Sequence, residues 1–140
     1  MKRTPIILAL ALLLSFAAAQ ADTWNVSALA SIVASDIDAS LAPCEVELEG
    51  SVCIKDRGSP DAVASRIARA MDEYGDVSTM SPWVIEEGGF HTRPYLIQDD
   101  SLEHYHAFLF IVSESLNDRH YAYINIASLG IYDSAGNEVP

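Results

Sequence analysis

Residues 104–127 read HYHAFLFIVSESLNDRHYAYINIA. Two apolar, aromatic-rich runs flank a polar stretch around Ser115 to Asn117, the pattern of a long β-hairpin with a period of two along each arm. One face takes Phe108, Phe110, Val112, Ala122, Ile124 and Ile126. The other takes Tyr105, Leu109, Ile111, Tyr121 and Tyr123, with Ala107, Asn125 and Ala127. Strands that are apolar on both sides are usually buried on both. The second face is therefore either covered, by a helix or by neighbouring strands, or left open as a tyrosine-bearing patch of the kind interfaces favour.

The flanking segments supply the rest of a sheet and its cover. Trp83 to Ile97 reads as two strands around Gly88-Gly89, with Pro94 marking an edge or a bulge because it cannot donate to a ladder. Gln98 to Ser101 reads as a turn. Ile131 to Val139 reads as a last strand and a turn. Ser59 to Tyr74 is a helix: Ser59 caps, Pro60 opens the first turn, and Val63, Ile67, Ala70, Met71 and Tyr74 form one stripe before the stop at Gly75. Asp22 to Leu41 is a second helix, with Leu29, Ile32, Val33, Ile37 and Leu41 at three- and four-residue steps, Asn25 as cap and Pro43 beyond its end. Cys44 to Lys55 changes period. Val46, Leu48, Val52 and Ile54 alternate with Glu45, Glu47 and Glu49 around Gly50-Ser51, which predicts a short acidic hairpin. The sum is α+β: two layers, with two helices on a mainly antiparallel meander of about four to six strands.

The first 21 residues read as a secretory signal peptide. Lys2 and Arg3 start it, Ile6 to Ala19 is apolar apart from Ser15, and Ala19-Gln20-Ala21 places small residues where a signal peptidase reads. The apolar run is shorter than the ~20 residues of a membrane span, and no cysteine stands at the cleavage site for a lipid anchor. The expectation is a periplasmic or secreted single domain, residues 22–140, without a stable membrane anchor. Two of the eight basic residues and none of the 20 acidic ones lie in the leader, so the remainder carries −14. Such a charge keeps a protein soluble and repels phosphate backbones, which argues against nucleic acid as a partner. In an exported chain the two cysteines, Cys44 and Cys53, read as a disulfide closing a loop of about ten residues, which contributes about 2.5–3 kcal/mol by loop entropy.

Chemistry is sparse. There is no Gly-x-Ser-x-Gly elbow and no phosphate-binding glycine loop, no cysteine is left over for nucleophilic work, and Glu86 and Glu87 are adjacent, so on a strand they point to opposite faces. The one constellation with metal-ligand character is histidine. His104 and His106 share a strand face, and pairing Phe90–Ile97 with the strand from Leu102 would set His91 near Phe108 and diagonal to His106, about 7–8 Å away. Zinc or copper is the ion such a set takes. The reading that best fits the whole is a small exported protein-interaction module, an inhibitor or an envelope accessory subunit. It would engage a protein partner or a second copy through Tyr105, Leu109, Ile111, Tyr121 and Tyr123, with no cofactor. Metal binding through the strand histidines is the alternative, and an enzyme without a recognisable motif is the third.

Overall fold

Asn25 turns the chain into its first helix. Its side chain accepts the Ala28 N–H at 2.8 Å, satisfying one of the amides that a helix start leaves free. The computed structural model describes residues 25–74, 77–78, 81–98 and 103–140. Within them the order is α1 (Val26–Asp36), β1 (Ser40–Ala42), β2 (Val52–Arg57), α2 (Pro60–Asp72), β3 (Val77–Ser78), β4 (Val84–Ile85), β5 (His91–Gln98), β6 (His104–Glu114) and β7 (Tyr121–Asp133). The leader, the Gly75 stop and all but Gln98 of the turn expected from Gln98 to Ser101 lie outside the described residues, and Gln98 ends β5.

The seven strands form one open antiparallel sheet in the order β1-β2-β7-β6-β5-β3, with β4 also on β5. The fold is α+β, with both helices on one face. Leu29, Val33 and Ile37 of α1 and Val63, Ile67 and Met71 of α2 are buried against that face. Beneath them lie Ile54, Tyr95, Phe108, Phe110, Ile124 and Ile126. Each large side chain so buried contributes about 1.5–3 kcal/mol. Tyr95 and Phe110 meet edge to face, with ring centres 5.1 Å apart. Asp56, buried on β2, pairs with Arg66 of α2 at 3.0 Å and fixes that helix to the sheet.

Several elements differ from the sequence reading. The first helix ends at Asp36 rather than Leu41, because Asp38 adopts a left-handed conformation, φ 58°, which a helix interior does not tolerate. The chain then enters β1, and β1 rather than residues 45–49 pairs with β2. Residues 43–51 form a loop, closed by the Cys44–Cys53 disulfide with its Cα atoms 5.2 Å apart. The hairpin's second arm and the separate strand expected from Ile131 are one strand, β7. It is bent where Ala107 pairs Gly130 but Phe108 pairs Ser128, leaving Leu129 as the extra residue. Pro94 occupies the gap on β5 between Thr92, paired by β4, and Leu96, paired by β3. Its missing N–H costs no ladder bond there.

Candidate binding face

Alternation along β6 and β7 sets the two faces of the sheet. Phe108, Phe110, Val112, Ile124 and Ile126 point to the helices and are buried. Tyr105, Leu109, Ile111, Tyr121 and Tyr123 point the other way, where no described helix lies. Tyr105, Leu109, Ile111 and Tyr121 are half-buried, whereas Tyr123 is only 9% exposed.

The loop 43–51 explains Tyr123. It folds over this face beside the hairpin tip and is held there by polar contacts distant in sequence. Glu45 accepts the Ser115 hydroxyl at 2.6 Å through Oε1 and the Leu116 N–H at 2.7 Å through Oε2. The Asn117 side-chain amide reaches Oε1 at 3.4 Å, and Asn125 Nδ2 donates to the Val46 carbonyl at 3.1 Å. Partial burial works to raise the Glu45 pKa. The Ser115, Leu116 and Asn117 bonds and the charge of Lys55 outweigh it and hold the carboxyl below the usual range.

Two apolar grooves lie on this face. One, of about 770 Å³, runs between the loop, the hairpin tip and the β4–β5 turn, lined by Val46, Leu48, Phe90, Ile111, Leu116 and Tyr123. The other, of about 560 Å³, lies at the far end over Pro94, Leu96, Tyr105 and Tyr132. Both volumes are within the range of ligand pockets. The rim is unusually apolar for solvent, with Leu116 76% and Val46 56% exposed.

A cationic corner completes the face, and it escaped the sequence reading. Lys55 and Arg57 pair directly with Tyr123 and Tyr121. Lys55 Nζ lies 4.4 Å from the centre of the Tyr121 ring and 5.9 Å from that of Tyr123, and the Arg57 guanidinium lies 5.9 Å from Tyr121. The signal was available: once Ile54 is placed inward, a period of two sends Lys55 and Arg57 outward.

The histidines do not converge. His91 pairs with Val112, not Phe108, so the expected register was four residues off. His106 lies opposite Ile97 and His104 opposite Asp133. Six strand positions, roughly 20 Å, separate His91 from His106. His106 instead stacks on Phe108, and His91 Nε2 lies 2.6 Å from Asp61 Oδ1 at the start of α2. Among the described residues no three His, Cys, Asp or Glu side chains group to hold a metal ion. The His91–Asp61 pair sits on the helix side of the sheet and lines neither groove.

Compared with known proteins, the chain matches no family model, no curated protein and no solved structure.

Proposed function

We infer that this is an exported protein-interaction module that works through the uncovered face of its sheet. The observation that carries the reading is one of layers. Both helices pack on one face, while Tyr105, Leu109, Ile111 and Tyr121 stay half-exposed on the other, between two apolar grooves. A two-faced apolar sheet left open on one side is the kind of surface that associates. Tyrosine suits it, combining a large apolar ring with a polar tip. Placement outside the cytoplasm is supported by the leader-like sequence and by the Cys44–Cys53 disulfide, which persists in oxidising compartments. An inhibitor of a secreted enzyme and an accessory subunit of the envelope both fit.

The test is paired capture from envelope and culture extract. One bait is the oxidised protein. The other carries Tyr105→Ser and Tyr121→Ser and is first matched to the parent in melting temperature. Tyr123 stays unchanged, because it is buried under the loop and its loss would perturb the fold. A protein retained by the first bait and lost by the second is the expected result. Equal retention by both baits overturns the assignment of this face.

A further inference from the structure

Charge is distributed unevenly over the uncovered face. The chain holds 20 Asp and Glu against eight Lys and Arg. Yet every second residue from Lys55 to Arg57, Tyr121 to Ala127, Tyr105 to Ser113 and Thr92 to Gln98 points outward on this face, and none is Asp or Glu. Its strand charges are Lys55 and Arg57, both set against Tyr121, while Glu45, Glu86 and Glu114 line the larger groove beside them. Among the described residues neither forms an ion pair. Glu45 feels the charge of Lys55, but its oxygens are already taken by Ser115, Leu116 and Asn117. Arg119, exposed on the turn beside Tyr121, lines the larger groove and adds a third cation.

We propose that the Lys55–Arg57–Tyr121 corner receives a carboxylate of the partner protein, on a segment whose neighbouring apolar side chains fill the larger groove. The proposal rests on reading the open face as an interface and names its partner's chemistry. An arginine fork and an ammonium held on one corner match a carboxylate. Tyr123 joins the two parts of the site: its ring lies 5.9 Å from Lys55 Nζ and lines the groove with Ile111 and Leu116. The net negative charge of the chain does not oppose this. At physiological ionic strength charges more than about 8 Å away are largely screened, so the groups at the corner decide. There Lys55, Arg57 and Arg119 stand against Glu45, whose oxygens are already bonded. The same cations disfavour a basic partner, which net charge alone would suggest.

The test is selection of a random peptide library displayed on phage against the immobilised, oxidised protein. Counter-selection uses Lys55→Gln with Arg57→Gln, and separately Tyr105→Ser with Tyr121→Ser. Lys55 is half-buried and Arg57 exposed, so the first variant is expected to melt with the parent, and both are checked for this. The expected result is enrichment of peptides carrying Asp or Glu next to aliphatic or aromatic residues, with binding at least tenfold weaker on the glutamine variant. Enriched peptides that are basic or uncharged, or that bind the glutamine variant as well as the parent, overturn the carboxylate assignment. If these are still lost on the tyrosine variant, the interface reading stands. Peptides indifferent to both variants, or no enrichment at all, overturn both.

Discussion

Glu45 and Leu116 are 71 positions apart in the chain, yet a Glu45 carboxylate oxygen accepts the Leu116 backbone N–H at 2.7 Å. With the Ser115 bond this clamps the disulfide loop to the tip of the β6–β7 hairpin and forms one wall of the larger groove. Glu45→Gln is expected to cost about 1–2 kcal/mol at neutral pH, since hydrogen bonds to an ionised group are among the stronger ones. The Glu45 pKa is lowered in the folded protein, so the clamp is fully present above the ordinary carboxylate value and is lost as pH falls through the lowered one. Melting curves of the two proteins should therefore differ at pH 7 and converge as pH falls through the lowered carboxyl value. A gap that widens in acid would contradict the clamp.

The same loop depends on its disulfide. Cys44→Ala with Cys53→Ala, or reduction, is expected to lower stability by about 2.5–3 kcal/mol. For a domain of this size that is about 10 °C in melting temperature. Amide exchange should accelerate in residues 43–51 and at Ser115 and Leu116 before it does in β6. Unchanged exchange at the tip would separate the loop from the clamp.

His91 is buried, its Nε2 engages Asp61, and among the described residues its Nδ1 has no partner. Asp61 is exposed but His91 is not, so removing Asp61 leaves a buried imidazole nitrogen without its partner. Asp61→Ala should thus destabilise by about 1–2 kcal/mol, part of it from the loss of a favourable charge in the first helical turn. His91→Leu should stay within about 1 kcal/mol of the parent, because both nitrogens go together. Urea unfolding of the two variants checks the order, and a larger loss for His91→Leu would reverse the account.

Tyr74, beyond the end of α2, donates its hydroxyl to the Asp36 carboxylate at the end of α1. That hydrogen bond, with desolvation and the charges of Asp36 and Glu73, pushes its pKa up to about 12. The neutral phenol is the favoured form, so its contribution is complete below the ordinary value near 10 and is lost as pH rises through about 12. Burial raises Tyr95 as well, so absorbance titration near 295 nm should show late-ionising tyrosines and lose one late step in Tyr74→Phe. A late absorbance change of undiminished size in Tyr74→Phe would contradict the Tyr74–Asp36 bond.

The faces of the central hairpin were legible because alternation is a local property. Phe108, Phe110 and Ile124 are buried, and Tyr105 and Tyr121 lie opposite, as the period of two requires. The helix from Pro60 was legible for the same reason, its cap and stripe being adjacent in sequence. Register was not. His91 lies opposite Val112 because of how far β5 and β6 extend before they turn, which no local pattern encodes. Val46 and Leu48 alternate with glutamates as a strand would, yet Glu45 and Val46 are held by Ser115 and Asn125 some 70 to 79 positions away. The groove owes its wall to those contacts, so half of the candidate site was hidden until the chain was folded.

The most direct test of the open face is site-specific photocrosslinking in the producing cell. A photoreactive phenylalanine derivative replaces Leu109, at the centre of the uncovered face, or Ser65, exposed on α2. Irradiation should give one discrete higher-mass protein adduct from position 109 and none from position 65. An adduct from position 65 alone, or none from position 109 in a chain that is exported and oxidised, would contradict the assignment of this face as the interaction surface.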